Sequence, residues 1–348
     1  MRTLVGNGYT VNRPFSPRTL LPEQIRIQRQ FGLSYSLAMA SDAVTSAASK
    51  SLTGLHLLLT YECNYECDHC FVWGGPSQKG TMTEDVIEHI LAEAVATGTI
   101  QWIYFEGGEP FLYYETLCDA VRMARAVGFK TGIVTNAYWA TSEAEAIERL
   151  MPLAGLVEDL SISDDIYHGS REGMRYPEIA RGAARQLGIP VDFISVAEPQ
   201  ATQVTGVAGK LPAGESAVLY RGRAAARLSA RAVGQRWETF DRCPWEDLRA
   251  PERVHVDPYG NLHVCQGISI GNLLQRSLKE ILANYDPDAH PIVGPLLGGG
   301  PSELARRYEL PRRAEYADHC HLCYECRRAL RPRFEEQLTP DQMYGGSS

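Results

Sequence analysis

The chain has 348 residues, 44% of them hydrophobic, and a net charge of −8. That allows one large α/β domain with a smaller appendage, while an acidic balance without basic clusters argues against nucleic acid or an anionic membrane as partner. No stretch reaches the roughly 18 uninterrupted apolar residues of a membrane span. Met1–Tyr9 lacks the apolar core of a secretory signal, so the expected compartment is the cytoplasm.

Residues 1–50, rich in Ser, Ala, Pro and Arg, carry no clear pattern and are expected as an N-terminal extension. From about residue 55 the pattern is regular. Strand His56–Glu62 leads into a cysteine-bearing loop and a helix from near Thr83, which can cap it, with Glu84 and Asp85 in the first turn. Strand Gln101–Glu106, helix Tyr114–Val127, strand Lys130–Thr135 and helix Ser142–Leu150 follow. Strand Leu160–Ser163, helix Tyr176–Leu187, strand Val191–Val196 and strand Ala217–Tyr220 complete the series. Alternating strands and helices imply βαβ units and a parallel sheet. Six strands are too few to close an eight-stranded barrel, so an open partial barrel and a doubly wound sheet both fit. In either, ligands sit at the C-terminal strand ends. The cysteine loop, Gly107–Pro110, Thr135–Asn136 and Ser163–Asp165 all fall there.

After about residue 236 the character changes. Val254–Asp257 and Asn261–Cys265 flank Pro258-Tyr259-Gly260, a hairpin pattern. Ser277–Tyr285 reads as a short helix capped by Ser277, and residues 291–301 read as a loop. The expected division is an extension at 1–50, a main domain at 51–235, a small loop-rich unit at 236–335 that needs a metal to hold it together, and a tail at 336–348.

Nine cysteines in a chain expected in the cytoplasm read as metal ligands rather than disulfides. Three thiolates in the spacing Cys63-x3-Cys67-x2-Cys70 can hold three irons of a four-iron cluster and leave the fourth open, as a catalytic site requires. The competing reading is zinc, with His69 as a distant fourth ligand. Cys118, with Leu117 and Val121 on an apolar helix face, reads as core.

The loop resembles the Cys-x3-Cys-x-aromatic-Cys signature of the radical S-adenosylmethionine (SAM) superfamily, with His69 in the aromatic place and Phe71 after the last cysteine. Glu106-Gly107-Gly108-Glu109-Pro110 resembles that family's second signature, which holds the amino group of the methionine moiety. Two glycines let the backbone approach a ligand closely, and Glu109 can pair with a cationic amine. By the same resemblance Gly107, Gly108, Glu109, Pro110, Ser163 and Arg171 are expected to bind SAM, and Tyr220–Ala224 to close the site. Cys243, Cys265, Cys320, Cys323 and Cys326 resemble the family's auxiliary-cluster domain, called SPASM or, when shorter, twitch. The compressed Cys320-x2-Cys323-x2-Cys326 tail departs from the full SPASM pattern. Five thiols cannot fill two four-cysteine clusters, so one auxiliary [4Fe-4S] cluster is expected, with Cys323 the surplus thiol. A structural zinc ribbon is the alternative.

The expected fold is therefore α/β, a partial (β/α)6 TIM-like barrel with a small C-terminal iron–sulfur, twitch- or SPASM-like, domain. The resemblance implies reductive cleavage of SAM to a 5′-deoxyadenosyl radical that takes hydrogen from a substrate, with flavodoxin or ferredoxin as reductant. The expected outcome is oxidation of, or bond formation on, a small metabolite, with the auxiliary cluster accepting an electron rather than anchoring the substrate. A ribosomal-peptide or protein-modifying maturase is the alternative, although residues 1–50 are too short and irregular for the usual leader-recognition domain. Outside that class stand a non-catalytic iron–sulfur electron carrier and a zinc-stabilised binding module. No acid–base or other catalytic side chain is assigned.

Overall fold

The computed structural model describes residues 51–168, 175–199 and 215–346. The first strand, β1 (Gly54–Thr60), reads GLHLLLT and is buried along almost its whole length, as a central strand covered on both faces must be. It is followed by α1 (Glu84–Thr97), whose Thr83 side chain accepts from the Val86 N–H and whose chain exits through left-handed Gly98. The series continues through β2 (Trp102–Gly107), α2 (Tyr114–Ala126), β3 (Lys130–Thr135), α3 (Glu143–Leu150), β4 (Val157–Ser163), α4 (Tyr176–Gln186), β5 (Val191–Val196) and β6 (Glu215–Ser216), after which come α5 (Arg223–Arg227) and β7 (Gln235–Arg236). Cys118 is buried in α2 beside Leu117 and Val121, in the core as expected.

Strand order decides between the two architectures that the alternation allowed. Strands β1 to β6 lie side by side in chain order and all run parallel. A doubly wound sheet would reverse order at a switch point; this one never does. Every crossover winds the same way, as in a barrel, and the sheet stays open because β1 gives its other edge to β8 (Arg253–Val256).

The C-terminal region continues this sheet. β8 pairs parallel with β1, and β9 (Asn261–Cys265) and β10 (Ile268–Asn272) follow antiparallel, so that this sheet has nine strands among the described residues. The β8–β9 turn is held by Asp257, whose Oδ1 accepts from the Tyr259 and Asn261 N–H groups. Ser277 and Glu280 form a capping box for α6 (Leu278–Asn284), in line with the short helix expected there.

Two expectations fail. The sixth strand lies at Glu215–Ser216 rather than Ala217–Tyr220. The chain leaves the ladder early because it is pinned to the cysteine loop: the Arg223 N–H donates to the Cys70 carbonyl, and a Cβ on Gly222 would lie 2.5 Å from that oxygen. Most of residues 291–301, from Val293 on, belong to a kinked helix, α7 (Val293–Arg307), not to a loop. Val293 and Leu296 bury an apolar stripe, the kink is confined to Gly299 and Gly300, and Pro301 restarts the helix where its missing N–H costs nothing. The tail cysteines also lie on regular structure that the sequence reading did not foresee, α8 (His319–Leu330), capped by Asp318.

Candidate metal and cofactor site

Cys63, Cys67 and Cys70 follow β1 on a loop folded back on itself, with the Cys63 N–H donating to the Gly75 carbonyl and the Gly75 N–H to Tyr61. Arg223 locks this loop. Fully buried, it donates to the carbonyls of Cys67 (2.9 Å) and Gly74 (2.6 Å). All three cysteines line one cavity of about 680 Å³, into which Gly107, Gly108, Thr135, Asn136, Ser163 and Asp165 also project from the ends of β2, β3 and β4. The strand-end rule is thus met by separate elements at one place.

The sulfurs are surrounded by donors. The Tyr65 N–H reaches Cys63 Sγ (3.4 Å), the Asn136 amide reaches it from the other side (3.7 Å), and the Gly74 N–H reaches Cys70 Sγ (3.2 Å). Burial nonetheless pushes the Cys63 thiol up to about 12, and pushes Cys67 up as well. Such thiols are poor nucleophiles by themselves, and a bound cation is what would make them thiolates. The donor set suits a metal centre.

His69 is turned elsewhere. Its Nε2 meets Asp165 Oδ2 at 3.2 Å, and its ring packs against Tyr167 and His168. Among the described residues, the ligand atoms lying within 4.8 Å of one another group His69 with Asp165 and His168, and no three cysteine sulfurs are that close. Zinc with bonds of about 2.3 Å would draw its sulfurs to within about 3.8 Å.

The glycine pair braces the cysteine loop as well as facing the cavity. The Gly108 N–H donates to Thr60 (2.6 Å) and the Glu109 N–H to Glu62 (2.9 Å), and a Cβ on Gly108 would lie 2.0 Å from the Glu62 carbonyl oxygen. Glu109 is fully buried and its carboxylate is occupied. It accepts from the Phe111 N–H (3.0 Å), the Thr135 hydroxyl (2.8 Å) and the Asn136 N–H (2.8 Å). Burial raises it to about 7 against those hydrogen bonds. Glu109 and Pro110 do not line the cavity; the Glu109 carboxylate ties the β2 end to the β3 end and aims Asn136 inward. Ser163 reaches the cavity. Arg171 lies outside the described residues.

A second, much smaller cavity is lined by Cys243, Cys265, Cys320 and Cys323, together with Arg221 and Arg327. Cys326 is absent from it and packs in the core. The thiol outside this cavity is Cys326, whereas Cys323, expected as the surplus one, lines it. At about 100° per residue, Cys320 and Cys323 lie about 60° apart on α8 whereas Cys326 lies about 120° from Cys320. Burial pushes Cys323 up to about 12 and Cys320 well above its ordinary value. Two cations offset this: Arg221 Nη1 lies 3.4 Å from Cys265 Sγ, and buried Arg327 donates to the Gln266 carbonyl at 2.6 Å. Arg221 lines both cavities and forms part of the wall between them.

The sequence model of the radical SAM superfamily matches residues 57–194, which run from within β1 to within β5 and take in Cys63, Cys67, Cys70, Gly107, Gly108, Asn136 and Ser163. Segment 57–194 is thus similar to the radical SAM superfamily. The chain is 32% identical over 111 residues to "Putative peptide biosynthesis protein YydG" of Bacillus subtilis (strain 168), covering 32% of this chain and 35% of that protein. It is 26% identical over 117 residues to the "S-adenosylmethionine-dependent nucleotide dehydratase" of Fibrobacter sp. (strain UWH6), covering 31% and 32%. The chain thus spans about a third of the length of these curated relatives. Among solved structures, native anSMEcpe with bound AdoMet and Cp18Cys peptide is similar at a TM-score of 0.46 and 13% identity, covering 82% of this chain and 98% of that one. Among the described residues no helix is long and apolar enough to cross a membrane.

Three residues not singled out from the sequence line the same cavity as the cysteines. His56 on β1, Glu106 on β2 and His255 on β8 meet around one carboxylate oxygen. Burial would raise Glu106, but His255 and His56 outweigh it and hold the carboxyl well below its usual range. The sequence signal was partial: His56 is the one ionisable residue of β1, but Glu106 shares its face with Tyr104 and His255 shares its face with Arg253, so alternation alone does not single them out.

Proposed function

We propose that Cys63, Cys67 and Cys70 hold three irons of a [4Fe-4S] cluster whose open iron binds SAM, and that the chain abstracts hydrogen from a substrate in the same cavity. The observation that carries this is the convergence of three thiols, and no fourth cysteine among the lining residues, with Gly107, Gly108 and Ser163 on one cavity of about 680 Å³. When bound, cluster and SAM supply a 5′-deoxyadenosyl radical after one-electron reduction, from a carrier such as flavodoxin or ferredoxin. The protein's own part is positional. Arg223 and the Gly107–Gly108 brace hold the loop, Asn136 and two backbone N–H groups stabilise sulfur charge, and the strand ends screen the cavity from water.

Cys243, Cys265, Cys320 and Cys323 are the ligands we assign to one auxiliary [4Fe-4S] cluster. A fully cysteine-ligated cluster has no iron free for substrate, and Arg221, which lines both cavities, stands between it and the first, which favours electron acceptance. Cys323→Ala is expected to cost the auxiliary irons, whereas Cys326→Ala should keep them and only destabilise the core by about 1–2 kcal/mol. Iron counting with Mössbauer spectra separates the two. Equal iron loss in both variants would overturn the assignment.

The substrate class we favour is a small metabolite undergoing oxidation or bond formation, in the cytoplasm. The name of the YydG relative favours a second reading, a peptide offering one side chain to the cavity. Anaerobically purified protein should be brown, carry about eight irons per chain, and release 5′-deoxyadenosine only with SAM and a reductant. A colourless, zinc-loaded protein that releases none would overturn the proposal.

A further inference from the structure

We propose that His56, Glu106 and His255 form a third metal site, separate from both cysteine groups, for a borderline divalent cation of the Fe²⁺ or Zn²⁺ kind. His56 Nδ1 lies 2.8 Å and His255 Nε2 3.1 Å from the same Glu106 oxygen, and the three ligand atoms all lie within 4.8 Å of one another. Metal–ligand bonds of about 2.0–2.2 Å place neighbouring ligand atoms about 2.8–3.5 Å apart. Two imidazoles and one carboxylate are a donor set that such cations prefer.

The sheet presents these groups together. His56 pairs with His255 across β1 and β8 and with Tyr104 across β1 and β2, and Glu106 is two residues beyond Tyr104. With a side-chain period of two, all point to one face. That face lines the large cavity, so the positions left open on the cation face the space where an oxygen or nitrogen donor of the substrate can bind.

Gln266 supplies an independent observation. It is 94% buried, lines the same cavity, and its Oε1 has no hydrogen-bond partner. Its Nε2 lies 3.5 Å from His255 Nε2. With the amide in this orientation hydrogen bonds leave the corner unsatisfied: for Glu106 to accept from both rings, His255 Nε2 must carry its proton, which then faces the Gln266 NH₂ group. Turning the amide relieves this, and a cation held by the two rings and the carboxylate gives the turned amide a second use. Both rings bind the cation through lone pairs, and turning the amide by 180° brings the unpartnered Oε1 to the same corner as a fourth donor.

The test uses the full chain with its clusters reconstituted anaerobically and Zn²⁺ as probe, in equilibrium dialysis after the iron has been counted. The expected result is one Zn²⁺ per chain at micromolar concentration, bound at least tenfold more weakly by His56→Gln, Glu106→Gln and His255→Gln, each with unchanged iron. Zinc-edge X-ray absorption on the wild-type chain should show nitrogen and oxygen neighbours including two imidazoles, and that readout does not depend on any variant folding. No micromolar zinc binding, binding equally tight in all three variants, or sulfur neighbours at the zinc would overturn the site. SAM cleavage measured in the same samples is scored separately, so failure of the radical chemistry and failure of the third site are distinguishable.

Discussion

Replacing Cys63, Cys67 and Cys70 together by Ala is expected to bring reductive SAM cleavage to background and remove about half of the iron, about four of eight atoms. The three sulfurs line the large cavity, while Cys243, Cys265, Cys320 and Cys323 line a different one. The remaining iron should therefore keep the spectrum of a single fully cysteine-ligated cluster. The comparison needs iron analysis, Mössbauer spectra and 5′-deoxyadenosine release on one preparation. Residual SAM cleavage in the triple variant would mean that the open iron lies elsewhere.

Gly108→Val is expected to be nearly as damaging, through the protein rather than the ligand. The new Cβ would sit 2.0 Å from the carbonyl oxygen of Glu62 and 2.6 Å from its carbon, where backbone rather than a flexible side chain must give way. Moving apart breaks the hydrogen bonds from Gly108 to Thr60 and from Glu109 to Glu62, which set the height of the loop starting at Cys63. Overpacking costs about 1–3 kcal/mol where neighbours can relax, and this site falls at or beyond the upper end. Iron should drop toward the auxiliary complement and SAM binding should fall with it. Gly182→Ala is the control. Its Cβ meets nothing within 4 Å and it lies inside α4, so stability should rise by about 0.5–1 kcal/mol with iron unchanged. Full iron in Gly108→Val, with an unchanged melting temperature, would show that the brace is dispensable.

The legible parts of this protein were those written in local pattern. Thr83, Ser142 and Ser277 each start a helix in the structure because a side-chain oxygen facing an orphan N–H is decided within four residues. The apolar runs of β1 and β3 mark central strands for an equally local reason. Gly299 and Gly300 misled the reading of residues 291–301 because glycine content signals a loop, while buried Val293 and Leu296 decided for helix through packing against distant segments. The sixth strand was misplaced for a related reason: Gly222 and Arg223 are held by the cysteine loop some 150 residues earlier, a contact with no local trace.

Cysteine spacing and the Gly107–Gly108 pair were sufficient, by themselves, to point to the superfamily and to the end of the sheet where the site lies, because each is a short motif whose chemistry depends on neighbours in the chain. Only the tertiary structure decided between an open barrel-type sheet and a doubly wound one, since strand order is a matter of long-range pairing. Only it showed that Glu109 ties two strand ends together, its oxygens accepting from the donors of Thr135 and Asn136. It also turned Cys326 rather than Cys323 into the core, because the angle between side chains on α8 depends on that segment being helical. His56, Glu106 and His255 stand about 50 and 149 residues apart in the order they occur, and no spacing rule joins them. They meet because β8 returns to pair with β1, and that return is set by the burial of two sheet faces rather than by any motif.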